Sequence, residues 1–219
     1  MIAAFERWGQ PQAIRVDNGL PLGDPGSDIA PVMALWLIGL GVDVLWNRPA
    51  RPTENAKVER MQGVTANWAE PGRCADLAAL SSRLEAALEI QRQHYRCRHL
   101  GGQTRAERYP ELFQKKCPYQ AEAFDLDRVL RFLATGQWVR TISKTGQLEF
   151  FNQRWALGRS YARHEVIIRF DLADRMWVVC EESGREIKRL DSAFLSSENI
   201  WALSLSQRAI DRSLRRKRS

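Results

Sequence analysis

The sequence predicts a mixed α/β chain in which short strands alternate with helices first and a β-rich region follows. Three observations lead there. Apolar runs bounded by Gly, Pro and Asn-Gly signals give a strand–helix–strand–helix order as far as about Ala69. A stripe of apolar positions then recurs at helical spacing from residue 75 to 97. After about residue 135 come five short strand-like runs separated by turn signals.

Taken in order, residues 1–8 read as the end of a helix, closed by Gly9 and Pro11. Ala13–Asp17 is a short strand stopped by Asn18-Gly19, and residues 20–28, rich in Gly, Pro and Asp, are a loop. Ile29–Leu40 is an apolar helix with Pro31 in its first turn. Val42–Trp46 is a second strand, and Pro49 and Pro52 bound another loop. Thr53 is the expected N-cap of a helix running to about Ala69. Within 75–97, Leu77, Leu80, Leu84, Leu88 and the stem of Gln91 form an amphipathic stripe. The order implies an α/β layer arrangement.

The five later runs are Trp138–Ser143, Gln147–Leu157, Val166–Asp171, Met176–Glu182 and Arg185–Leu190. Their close spacing predicts a small all-β barrel. Trp138, Trp155 and Trp177 are read as core. From Gln207 to Ser219 the chain carries Arg208, Arg212, Arg215, Arg216, Lys217 and Arg218 against Asp211 alone, a basic tail.

Composition sets limits. No apolar run is long enough to cross a bilayer as a helix, and the N-terminus lacks a signal-peptide plan. Cys74, Cys97, Cys117 and Cys180 have no CxxC spacing and fit free thiols in a reducing cytoplasm. His94, Cys97 and His99 lack a fourth zinc ligand, Cys117 being distant. A net charge of +7 suits a polyanionic partner without requiring one.

Two acids stand out. Asp17 ends a strand before Asn-Gly, and Glu59 lies inside the following helix with Asn55 four residues earlier, on the same face. Carboxylates placed in this way can hold divalent ions that activate an attacking hydroxyl and stabilise a leaving oxygen in phosphoryl transfer. Asp17 alone would read as a turn-forming residue, and Glu59 alone as a solvated helix acid.

The segments Ile14-Arg15-Val16-Asp17-Asn18-Gly19 and Arg51-Pro52-Thr53-Glu54-Asn55-Ala56-Lys57-Val58-Glu59-Arg60 resemble the second and third acidic motifs of integrase-core transposases. These are the retroviral-integrase-like transposases of insertion sequences. The stretch Arg98-His99-Leu100-Gly101-Gly102-Gln103-Thr104-Arg105-Ala106-Glu107 resembles the segment after that core, with Cys97 and Arg105 where the family prefers Pro. The β-rich region resembles the barrel of Mu-like transposases.

The resemblance implies a partial RNase H-like integrase core over 1–72, a helical connector over 73–134, a DNA-binding barrel over 135–195 and a basic tail over 196–219. It implies Asp17 and Glu59 as catalytic metal ligands for Mg²⁺ or Mn²⁺, with Asn55 in support. Glu54 fits the family's spacing from Asp17 better than Glu59 does. The loop from Leu20 to Asp28 is longer than the family's linker, which accounts for the excess and favours Glu59.

Arg15, Arg48, Arg51, Lys57 and Arg60 are expected around the DNA, with Arg7 nearby in sequence. Arg140, Lys144, Arg154, Arg159, Arg163 and Arg169 are expected on the barrel, and Arg215, Arg216, Lys217 and Arg218 in the tail. The implied partners are transposon-end and target DNA and further copies of the chain, in the cytoplasm. The family's first aspartate has no counterpart, since Glu6 is the one acid before Asp17 and falls in a helical pattern. The expected product is therefore an N-terminally truncated, inactive transposase. The alternatives are a piece of a longer protein, a core completed by another chain, and a non-catalytic DNA-binding or assembly module.

Overall fold

A computed structural model describes residues 1–24, 30–48, 52–114 and 117–203. Ile29, Pro49, Arg51 and the basic tail lie outside the described residues, as does the loop from 25 to 28. The helices are α1 (Ile2–Trp8), α2 (Val32–Gly39), α3 (Ala56–Ala69), α4 (Leu77–Glu89), α5 (Arg105–Arg108), α6 (Glu111–Gln114), α7 (Leu126–Ala134) and α8 (Ser197–Trp201). The strands are β1 (Ala13–Val16), β2 (Asp43–Trp46), β3 (Gln137–Thr141), β4 (Gln147–Phe150), β5 (Gln153–Ala156), β6 (Glu165–Asp171), β7 (Met176–Cys180) and β8 (Glu186–Asp191). Helix and sheet are thus mixed, as expected, and no described helix is long and apolar enough to cross a membrane.

Two compact units divide the chain, and they cut across the divisions expected from sequence. One comprises Met1–Pro11 and Asn47–Tyr119; the other joins Gln12–Trp46 to the described chain from Gln120 onward. The reason is packing. The first strand pair and its helix find their apolar partners about a hundred residues downstream.

In that second unit β1 and β2 pair in parallel, Ala13 opposite Asp43 through Val16 opposite Trp46. Parallel neighbours need a crossover, and α2 lies within it. Val32, Ala34, Leu35, Trp36 and Leu37 are all buried, so α2 is covered on every side. Pro31 takes the N-cap position with φ −59° and ψ 155°, so the helix begins after it and not around it. Helices α7 and α8 pack on α2, with Trp36 edge-on to Trp201 at 5.7 Å. A Cβ on Gly39 would lie 2.2 Å from the Phe124 ring, so glycine alone admits this approach. Asp125 then caps α7 through the N–H of Asp127, 2.8 Å away.

The β-rich part is an antiparallel sheet in the order β3-β6-β7-β8 beside a separate hairpin, β4-β5. The expected run Gln147–Leu157 is two strands, because Phe151 and Asn152 both have positive φ, 48° and 58°, and reverse the chain. Among the described residues no pairing joins β3 to β8, so the sheet is open where a closed barrel was expected. Cross-sheet pairing places Trp138, Ile168 and Val179 on one face and Val139, Ile167 and Cys180 on the other. Strand β7 is apolar throughout because both its faces are covered. Trp177 centres the core, with Phe150 and Phe170 each at 4.9 Å between ring centroids.

On the edge strand β8, Arg189 pairs with Asp171, Asp174 and Glu186. The N–H of Asp174 and then the Arg189 guanidinium hold the Asp171 carboxyl below its ordinary range.

The first unit has a smaller core. Helices α3 and α4 form an antiparallel hairpin about the turn Pro71–Arg73, with Thr65, Ala69, Ala87 and Gln91 buried between them. The Gln91 amide donates to Thr65 Oγ1 at 2.7 Å, which satisfies two buried polar groups at once. Leu80, Leu84 and Leu88 are half-buried, whereas Leu77 is 80% exposed and falls outside the expected stripe. It stands in the first turn, after the N-cap Asp76, which accepts from Ala79 N. Thr53 is not a cap: Pro52–Glu54 forms a 3₁₀ turn, and α3 starts after Asn55. Phe5 is buried beside Tyr119. The guanidinia of Arg92 and Arg7 lie 4.2 and 5.0 Å from the Trp8 ring.

Candidate functional site

Asp17 follows the last residue of β1, at the carboxyl end of the parallel strand pair, which is where α/β sheets place ligands. Its Oδ1 accepts from the N–H of Gly19 at 3.1 Å, an Asx turn that sets the carboxylate's orientation. The loop behind it is tight. Gly23 N donates to Gly19 O at 2.8 Å, and a Cβ on Gly23 would lie 2.5 Å from the carbonyl carbon of Asn18. Trp46 Nε1, from the end of β2, donates to Leu22 O at 2.8 Å and pins the loop to the strand pair. The Asp17 side chain is exposed. Arg15, two residues earlier, lies on the same side of the strand and is exposed too.

The segment with Glu54 and Glu59 belongs to the other unit. Here the competition between Glu54 and Glu59 has a physical side. Glu54 accepts from both Arg48 N at 2.9 Å and Arg48 Nε at 2.7 Å, and it is committed to closing the 48–54 loop. Glu59 stands one turn into α3, exposed, and its carboxylate has no hydrogen-bond or ion-pair partner among the described residues. Asn55 does not steady it: Asn55 Oδ1 accepts from Asn47 Nδ2 at 2.6 Å. Lys57 and Arg60 are exposed beside Glu59, without ion-pair partners among the described residues. Arg48 is taken by Glu54, and Arg51 is outside the described residues.

Among the described residues no three His, Cys, Asp or Glu side chains come together to hold a metal. Asp17 and Glu59 have carboxylates of the right chemistry for Mg²⁺, yet two acids are fewer than a phosphoryl-transfer site uses. The described residues therefore do not compose the metal site by themselves, and no reaction step is routed through it.

The Leu-Gly-Gly segment is structural. Cys97 and Gln103 form an isolated antiparallel bridge, and Gly101 and Gly102 take φ of 67° and 81°, which close the loop between them. Thr104 and Glu107 then make a reciprocal capping box on α5. The Thr104 N–H holds the Glu107 carboxyl below its ordinary range. Arg105 donates to Gln91 O at 2.6 Å, within the π-helical turn Ile90–His94. The spacing Thr-x-x-Glu is a sequence signal for that capping box; the Arg105 contact has no signal in sequence. Cys97 is buried, and His94 and His99 are exposed.

In the β-rich part Arg140 lies over the Phe150 ring at 5.4 Å and donates to Val139 O. Arg154 pairs with Glu149 at 3.5 Å. Lys144 is exposed and has no partner among the described residues. Arg215, Arg216, Lys217 and Arg218 lie outside the described residues. No protein-family model matches the chain.

Proposed function

We propose that this chain acts on DNA as part of a transposase or integrase, and that Asp17 and Glu59 are carboxylates that it offers to Mg²⁺ or Mn²⁺ in phosphoryl transfer. The observation that carries the reading is the position of Asp17. It is exposed, oriented by an Asx turn, and stands at the carboxyl end of a parallel strand–helix–strand unit.

On this reading β1, α2 and β2 are part of an RNase H-like integrase core, which their parallel pairing supports. The β-rich part takes the place of the Mu-like barrel, with an open sheet and a hairpin in its stead. Transposon-end and target DNA are the partners, in assemblies of several copies. When bound, the metal supplies charge stabilisation of the transferring phosphate. The chain's own acids fix where it sits, and exposed cations such as Lys57 and Arg60 meet the DNA backbone.

The test is Mn²⁺ titration of the whole protein by electron paramagnetic resonance. Asp17→Asn and Glu59→Gln are each expected to weaken Mn²⁺ binding about tenfold or more, since even changes outside the ligand shell cost that much. Glu54→Gln is expected to leave it unchanged and to loosen the Arg48 loop. Equal Mn²⁺ affinity in all variants would refute the assignment.

A second reading, a DNA-binding module without catalysis, is favoured by the exposed cations of the β-rich part that have no side-chain partner among the described residues. It expects DNA affinity to survive loss of both acids.

A further inference from the structure

Between Gln137 and Asp191 stand ten Lys and Arg residues. Six of them are engaged: Arg140 and Arg154 as above, Arg175 with Asp127, Arg185 with Glu181, Lys188 with Ala156 O, and Arg189 with its three acids. Lys144, Arg159, Arg163 and Arg169 are exposed and have no partner among the described residues. The first three belong to one place.

Backbone bonds tie their loops together. Leu157 N and Gly158 N both donate to Gly146 O, at 2.9 and 3.2 Å, which joins the turn holding Lys144 to the one holding Arg159. Arg163 N donates to Ile142 O at 3.0 Å, and Ile142 N to His164 O at 2.9 Å, which brings Arg163 to the same end of the sheet. Tyr161 N donates to Gly158 O at 3.2 Å and His164 N to Tyr161 O at 3.1 Å, closing the set. Arg169 lies apart, in mid-strand opposite Gln137 and Val178.

We propose that Lys144, Arg159 and Arg163 form a seat for the phosphate backbone of duplex DNA, an inference that rests on the DNA-acting reading above. Holding like charges together costs Coulomb energy, which a polyanion offsets on binding. The acids of the strand ends here are Glu165, Glu181, Glu182 and Glu186. Glu181 is taken by Arg185 and Ser183 and Glu186 by Arg189, which leaves Glu165 and Glu182 against three cations without a side-chain partner among the described residues. Backbone hydrogen bonds tie together the loops from which the three cations project. None of the large apolar side chains exposed in this unit sits on these loops, as insertion into a lipid surface would need. The cations thought on sequence grounds to share the task, Arg140 and Arg154, are occupied within the fold.

The experiment is fluorescence anisotropy of a labelled duplex with the full chain over a series of salt concentrations. Each phosphate contact contributes roughly 0.9 to the slope of log K against log salt. The triple variant K144Q/R159Q/R163N is expected to lower that slope by about two to three and each single variant by about one. Asparagine replaces Arg163 because φ there is 65°. The pair R140Q/R154Q, thermally checked alongside, is expected to leave the slope unchanged. If the wild type binds DNA and the triple and single variants keep its full slope, the seat is wrong and the DNA-acting reading stands. If the wild type shows no salt-dependent DNA binding, both fail. Tighter binding of single-stranded RNA than of duplex DNA would overturn the choice of partner.

Discussion

Trp177→Ala is expected to destabilise the β-rich unit by about 3–5 kcal/mol, the range for truncating a large buried aromatic. Trp177 is fully buried and meets Trp138, Phe150, Phe151 and Phe170 at centroid distances of 5.5, 4.9, 5.4 and 4.9 Å. Truncation opens a cavity that touches the sheet and the hairpin at once, so it loosens the contact between them. Trp177→Phe is expected to cost much less. The indole N–H is buried without a hydrogen-bond partner among the described residues, and removing that donor offsets part of the lost volume, a desolvation term of about 1–3 kcal/mol. Urea unfolding of the two variants separates these effects. Equal losses would mean that the buried N–H carries no penalty.

Gly146→Ala is the second large effect, expected at about 2–4 kcal/mol from a left-handed conformation and an overpacked contact together. Gly146 has φ 77°, and a Cβ there would lie 2.4 Å from Gly158 O and 2.8 Å from Arg159 N, backbone atoms that cannot rotate away. Since this contact joins the loops that carry Lys144 and Arg159, the variant is expected to lose DNA affinity as well. Gly63→Ala gives the opposite sign. Gly63 is exposed inside α3 with nothing within 4 Å of a new Cβ, so alanine there is expected to stabilise by about 0.5–1 kcal/mol. Thermal unfolding of both variants checks the pair. A neutral Gly146→Ala would show that the two loops can separate at little cost.

What could be read from sequence was what local chemistry decides. Gly9, Asn18-Gly19 and the apolar run through Leu40 marked α1, β1 and α2 because a helix end, a strand end and a buried helix each leave a local signature. The reversal at Phe151-Asn152 left a weak one: Asn152 tolerates positive φ, but Phe151 adopts it through the pairing of β4 with β5. The division into units was hidden for the same reason, since α2 meets α7 and α8 only through tertiary packing.

The acids followed the same rule. Asp17 was legible from Asp-Asn-Gly, and its turn is local. Glu54 and Glu59 were told apart in sequence by a loop-length argument, whereas their present difference lies in one contact with Arg48 that spacing cannot reveal. The free cations of the β-rich part were legible only as a number of positive charges. Which of them were already paired depended on where the acids of neighbouring strands fell.

The most direct measurement of the central claim is duplex-DNA affinity of the whole protein with and without Mn²⁺. A metal held between protein carboxylates and DNA phosphates must tighten DNA binding, and DNA must tighten metal binding by the same factor. Mn²⁺ is expected to raise DNA affinity about fivefold or more, with Asp17→Asn and Glu59→Gln each abolishing that gain while leaving metal-free binding unchanged. DNA affinity indifferent to Mn²⁺ in the wild type, or a gain that survives in both variants, would contradict it and leave a protein that binds DNA through its cations alone.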